Sequence, residues 1–134
     1  MPQPFTLAKS DIVGSVPISN VNAAKDFYGG TLGLELVSEE LPFALVFDAN
    51  GIMLRLAITP EHAPSRGTVL GWRVPEIGTA VEALSQAGIR FERYDFLTQD
   101  EAGIWTTPTK ARVAWFKDPD GNLLSISEHP EAER

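Results

Sequence analysis

The stretch WFKDPDGNLLS (115–125) places a cluster of turn-forming residues between two apolar runs. Within it, Asp118-Pro119-Asp120-Gly121 predicts a hairpin, because glycine accepts the positive φ that such turns require. The segment 43–58 has the same design, with apolar runs on either side of Asp48-Ala49-Asn50-Gly51. The two turns begin 70 residues apart, which indicates a repeated structural unit.

The residues before the first hairpin predict a strand, a helix and a second strand. Residues 12–18 form a β-branched run, and Ser19-Asn20 offer N-cap oxygens to the helix that follows. We expect Gly29-Gly30 to end this helix, and residues 32–37 to form the next strand.

The second half of the chain repeats this order. Residues 68–74 predict a strand, Pro75 suits the first turn of a helix, and Gly88 should end that helix. A strand is then expected at 89–94, before the second hairpin. The sequence therefore predicts an α+β domain that spans 1–134.

This domain should consist of two βαβββ modules, one at about residues 11–60 and the other at about 67–129. A helix can cover one face of each four-stranded sheet, so the two modules should form a cupped mixed sheet with a ligand on its uncovered face.

Composition excludes several classes of function. The 134 residues contain no cysteine, which rules out disulfides, thiolate zinc sites and cysteine nucleophiles. A net charge of −7 argues against a nucleic-acid partner. No apolar run of about 18 residues predicts a membrane span, and no signal peptide is recognised, so we expect a cytoplasmic protein without a membrane partner.

Two motifs carry a resemblance to a known family. FYGGTLGLELV (27–37) and VAWFKDPDGNLLS (113–125) resemble the vicinal oxygen chelate superfamily, which includes glyoxalase I, extradiol dioxygenases and bleomycin resistance proteins. The resemblance covers about residues 11–129. It implies paired βαβββ modules in a cupped sheet, often completed by dimerisation, and therefore a homodimer. It also implies a divalent metal ion held by His, Gln or Glu at four equivalent strand positions.

In this sequence those four positions are Val13, Arg55, Val69 and Ser125. Two aliphatic groups, a permanent cation and a neutral hydroxyl are unsuitable ligands for a divalent metal. We therefore predict no metal and no other cofactor. The first hypothesis is metal-free binding of a small organic ligand, similar to the drug-binding resistance proteins of this superfamily.

The alternative hypothesis is a lyase, an isomerase or a dioxygenase-type enzyme that uses a cavity carboxylate or atypical metal ligands. Four acidic residues lie near predicted strand ends or in the long connection and are candidates for that carboxylate: Glu35, Glu92, Asp95 and Glu101. None lies in a recognisable catalytic motif. Whether the protein is an enzyme therefore stays open at this point.

Arg55 is the main candidate for ligand binding. Alternation along 52–58 places it on the uncovered face, opposite Leu54 and Leu56. Its guanidinium should grip a ligand carboxylate or phosphate, pair with a protein carboxylate, or lie in solvent. Ser15 in the first strand should line the same cavity, together with Val13.

Trp105 lies in a long connection at 95–110, where it should form a lid, a stacking platform for a flat ligand, or a contact with a dimer partner. Trp72 and Trp115 fall inside predicted strands, so we expect both in the core. His62 is expected in a solvated loop. His129 should either end a hydroxyl-bearing strand edge or lie in a frayed chain end.

Overall fold

The computed structural model describes residues 5–130. Within these residues, eight strands and two α-helices follow one another in two similar sets, and a π-helical segment (Lys25–Thr31) continues the first helix. No helix in the described part of the chain is long and apolar enough to cross a membrane. The elements are β1 (Val13–Ile18), α1 (Val21–Ala24), β2 (Glu35–Glu40), β3 (Ala44–Ala49), β4 (Ile52–Ile58), β5 (Thr68–Arg73), α2 (Ile77–Gln86), β6 (Trp105–Thr106), β7 (Arg112–Lys117) and β8 (Leu123–Glu128).

The strands form two four-stranded mixed sheets of equivalent order, β1-β4-β3-β2 and β5-β8-β7-β6. In each sheet the first strand pairs in parallel with the last strand of its module, and the remaining pairs are antiparallel. This arrangement confirms the predicted α+β fold of two sheets.

Alternation along the strands divides each sheet into a core face and an open face, the latter being the side turned away from the core. In β4, Leu54 and Leu56 are buried, whereas Arg55 between them is partly exposed. In β8, Leu124 and Ile126 are buried, and Ser125 is not. The core faces of both sheets contribute to one hydrophobic cluster, so the two modules share a core.

Two details of the predicted elements are wrong. Gly29-Gly30 do not end the first helix, because the chain continues through them in the π-helical segment and reverses at Gly33, where φ is 77°. Residues 89–94 form no strand in the structure. The edge of the second sheet is instead completed by Trp105–Thr106 from the long connection.

The two predicted hairpins are present, with loops of different length. Asn50-Gly51 alone connect β3 to β4, and both have positive φ (54° and 87°), as a type I′ turn requires. In the second hairpin Lys117 pairs with Leu123, which leaves a five-residue loop closed by a hydrogen bond from Asp118 N to Asn122 O (3.0 Å).

The second loop also joins the two modules. The Tyr28 hydroxyl donates to Asp118 Oδ2 at 2.7 Å, and Asn122 Nδ2 donates to the carbonyl oxygen of Pro17 at 2.7 Å. The Ser19 amide and hydroxyl both donate to Asp120 Oδ1. Module one is thus fixed to the hairpin of module two by polar contacts, of which the hydrogen bond between Tyr28 and Asp118 is buried.

Replacing Tyr28 with Phe should destabilise the protein by about 1.5–3 kcal/mol, because it removes a hydrogen bond to a buried carboxylate. Urea unfolding monitored by circular dichroism measures this change. Tyr94→Phe is the matched control, since the Tyr94 hydroxyl makes no hydrogen bond within residues 5–130. Equal stability of the two variants would contradict the assigned role of Tyr28.

The loss should also depend on pH. Burial raises the pKa of the Tyr28 phenol, and the neighbouring Asp118 carboxylate raises it further. Below the ordinary tyrosine pKa of about 10, both the folded and the unfolded state hold the proton, so the stabilisation is complete. At higher pH the unfolded phenol ionises first, and the free energy of unfolding falls. Tyr28→Phe should therefore make this alkaline decline shallower.

Candidate functional site

The open face of the first sheet centres on Arg55. Ser15 lies beside Arg55 in the parallel ladder between β1 and β4. Arg55 Nη1 lies 2.9 Å from Glu40 Oε1, and the two side chains are 39% and 49% exposed. Of the three interpretations of Arg55, the structure therefore contains the protein ion pair. Such a solvated pair contributes at most about 1 kcal/mol, so a ligand anion can displace Glu40 at small cost.

The two aliphatic candidates, Val13 and Val69, lie at the margins of the first and second open faces. Val13 begins β1 opposite Met53 and is 54% exposed. Val69 lies at an irregularity in the ladder between β5 and β8 and is 38% exposed. Both therefore leave apolar surface accessible to a ligand or to another chain.

Ser125 occupies the middle of the second open face, between Gly71 on β5 and Trp115 on β7. A methyl group at Gly71 would lie 2.5 Å from Ser125 Oγ, which shows how closely the hydroxyl approaches the neighbouring backbone. Ser125 is therefore tightly confined on the Gly71 side.

The prediction that Trp115 lies in the core is wrong. Trp115 does not join the core but lies on the open face, because it pairs directly with Ser125 across the hairpin. Trp105 stacks on it with ring centroids 6.1 Å apart and planes 29° apart. The Trp115 indole N–H donates to Thr68 Oγ1 at 3.1 Å, which fixes its orientation. Trp72, by contrast, stacks on the buried Phe116, as expected of a residue that packs on the core.

The aromatic row extends beyond the two indoles. Tyr94 contacts Trp115 edge to face at 5.6 Å, and Phe96 contacts Tyr94 at 5.5 Å. We call these four residues, Phe96, Tyr94, Trp115 and Trp105, the aromatic row. Burial and, secondarily, the Glu92 carboxylate raise the pKa of the Tyr94 phenol, so at neutral pH it is a hydrogen-bond donor.

The remaining predicted residues do not converge on one point. His62 is not simply solvated, because its Nε2 lies 2.6 Å from Asn122 Oδ1 in the junction between the modules. His129 Nε2 lies 2.8 Å from Ser127 Oγ at the end of β8. Among the candidate carboxylates, Glu92 lies 3.8 Å from Lys117 Nζ, whereas Glu35, Asp95 and Glu101 are exposed.

The residues at the four expected ligand positions do not fit the metal ion that the family resemblance implies. Val13, Arg55, Val69 and Ser125 supply no imidazole or carboxylate. Within residues 5–130, no group of three or more His, Cys, Asp or Glu side chains is arranged to hold a metal ion.

Paired sheets of this order, with a common core and accessible open faces, define a class of two-module α+β proteins. A family model described as the Glyoxalase/Bleomycin resistance protein/Dioxygenase superfamily matches residues 11–126. The chain belongs to this superfamily, which confirms the resemblance found in its motifs. A search of curated protein sequences gives no significant match.

Solved structures share the fold over nearly the whole chain. TnmS3, an antibiotic binding protein from a Streptomyces species, is 25% identical, with a TM-score of 0.73 over 94% of this chain and 100% of its own. A glyoxalase family protein from Enterococcus faecalis is 23% identical, with a TM-score of 0.71 over 92% and 100%. Lactoylglutathione lyase from Agrobacterium tumefaciens is 17% identical, with a TM-score of 0.68 over 92% and 96%.

Sequence reasoning missed three contributors to these faces: Glu40, Tyr94 and Trp115. Hairpin pairing gives the signal for Trp115, because a residue directly opposite Ser125 must share its face. Nothing comparable identifies Tyr94, since residues 89–94 do not form the strand that the pattern predicted.

The stacked indoles should produce coupled electronic transitions in circular dichroism, because their rings lie 6.1 Å apart. Trp105→Phe should abolish the coupled band, whereas Trp72→Phe should preserve it, since Trp72 stacks on Phe116 and not on an indole. An unchanged spectrum in Trp105→Phe would show that the two indoles are not stacked in solution.

Proposed function

We propose that the protein binds a small organic molecule on its open faces without a metal ion. The observation that carries this proposal is the surroundings of Ser125, one of the four positions at which the family's enzymes are expected to carry metal ligands. Here a hydroxyl lies beside the stacked Trp115 and Trp105. These groups suit hydrogen bonding and stacking with an organic ring and do not suit metal coordination.

The similarity to TnmS3, an antibiotic binding protein, supports the same function. Binding of a flat molecule needs accessible aromatic area, which Trp105 and Trp115 provide because both are partly exposed. Ser125 would then supply a polar contact to a ligand on the second open face, and Ser15 and Arg55 would do so on the first.

We further propose that the protein acts as a homodimer. Val13, Met53 and Val69 are 54%, 48% and 38% exposed, so each open face carries apolar side chains that a second copy would cover. The net charge of −7 supports the absence of a nucleic-acid partner, and the absence of cysteine is compatible with the cytoplasm.

One observation favours the alternative, a lyase or isomerase that uses a cavity carboxylate. Glu40 reaches the open face beside Arg55, where its carboxylate is 49% exposed and accessible to a substrate. In such an enzyme Glu40 would be the proton acceptor and Arg55 would orient an anionic substrate.

Titration with Mn²⁺, Ni²⁺, Zn²⁺ and Fe²⁺ should show no saturable one-to-one binding. Tryptophan fluorescence is a suitable measurement, because Trp115 pairs with Ser125 and would respond to an ion there. Elemental analysis of the purified protein provides an independent measurement. Stoichiometric binding that Ser125→Ala abolishes would overturn the metal-free proposal.

Replacing Arg55 with Met should change stability by less than about 1 kcal/mol, because its ion pair with Glu40 is half exposed. The same variant should lose affinity for anionic molecules that stabilise the wild-type protein in a thermal-shift screen of organic acids and their neutral amides. Glu40→Gln is the matched control, and it should retain or increase that affinity. If Arg55→Met binds the acids as tightly as wild type does, Arg55 has no role in ligand binding.

A further inference from the structure

A separate recess lies at the hairpin end of the second open face, where β7 and β8 meet the connection between the modules. Its volume is about 510 Å³, within the range of small-molecule sites. We call it the linker pocket; its lining includes Arg66, Tyr94, Phe96, Lys117 and Leu123. Lys117 and Leu123 pair directly, two residue pairs along the ladder from Trp115 and Ser125, and therefore on the same face of the sheet.

Two rings of the aromatic row form part of this pocket. Phe96 is 81% exposed, although its ring contacts Tyr94 at 5.5 Å. Covering a solvent-exposed phenyl ring with another apolar ring is favourable, because it removes apolar surface from water. The exposed face of Phe96 therefore suits an aromatic ligand.

Two cations lie in the same pocket, although the chain carries a net charge of −7. Arg66 is exposed and forms no ion pair within residues 5–130. Lys117 is 52% exposed and lies 3.8 Å from Glu92, too far for a close hydrogen bond. The pocket thus combines a guanidinium that is available for a bidentate contact with an ammonium that is only weakly paired.

The Tyr94 hydroxyl adds a neutral donor to these two charges. It makes no hydrogen bond within the described part of the chain. Because burial and the Glu92 carboxylate favour the protonated phenol, Tyr94 offers a proton to an acceptor and carries no negative charge that would repel an anion.

We propose that the linker pocket binds an aromatic carboxylate, with the ring against Phe96 and Tyr94 and the carboxylate on Arg66 and Lys117. This inference rests on the proposed function, because the pocket continues the second open face, and it names the chemical class of the ligand. A neutral ring would leave Arg66 without a partner, and a non-aromatic acid would leave Phe96 uncovered.

Isothermal titration calorimetry of the full chain with 1-naphthoate and with the neutral 1-naphthamide tests the proposal. Naphthoate should bind more tightly than naphthamide in wild type. Arg66→Gln and Lys117→Gln should each weaken naphthoate binding roughly fivefold, the effect of about 1 kcal/mol for a partly solvated ion pair, and leave naphthamide unchanged. Arg90→Gln, which removes an exposed arginine outside the pocket, should leave both affinities unchanged.

Phe96→Ala should weaken the binding of both compounds, since it removes the ring and no charge. Because Phe96, Arg66 and Lys117 are all exposed, these variants should fold, and far-ultraviolet circular dichroism checks that they do. Equal affinities for naphthoate and naphthamide, unchanged in Arg66→Gln, would overturn the carboxylate assignment and leave the proposed function standing. Absence of naphthoate binding would also overturn the assignment of the linker pocket to an aromatic carboxylate. The metal titration and the Arg55→Met screen test the proposed function separately.

Discussion

The buried carboxylate of Asp118 is the constraint on which the arrangement of the two modules depends. It is 5% exposed, and burying a carboxylate is costly unless hydrogen bonds replace its hydration. Four donors do so: the Tyr28 hydroxyl, the Asn122 side-chain amide, and the backbone N–H groups of Asp120 and Asn122. Because Tyr28 belongs to module one, this set is complete only when the two modules are docked.

Docking through the core faces leaves the open faces free for ligands. Phe27 of module one contacts Phe116 on the core side of β7, with ring centroids 6.3 Å apart. Once Phe116 is directed inward, the pleat of β7 directs its neighbour Trp115 outward. The outward position of Trp115 therefore accompanies the contact between the modules, and the core contacts and the proposed binding surface lie on opposite faces of the same strands.

The sequence was sufficient to predict the paired modules, both hairpins and the outward direction of Arg55, because these depend on short-range alternation and turn chemistry. It was insufficient for contacts between distant segments. Tyr28 and Asp118 are 90 residues apart, and the helical pattern presented Tyr28 simply as an apolar residue. The strand expected at 89–94 is absent for a related reason. This segment makes a backbone hydrogen bond to β7, from Glu92 N to Trp115 O at 2.7 Å, but the ladder with β7 is formed by Trp105–Thr106 from the long connection.

Ser125 is closely confined between its neighbours on the second open face. Gly71 approaches Ser125 so closely on one side that even a methyl group there would meet the hydroxyl, and Trp115 stands on the other. The Ser125 hydroxyl and the stacked indoles of Trp115 and Trp105 therefore lie together on one open face, and the proposal of an organic ligand rests on this arrangement.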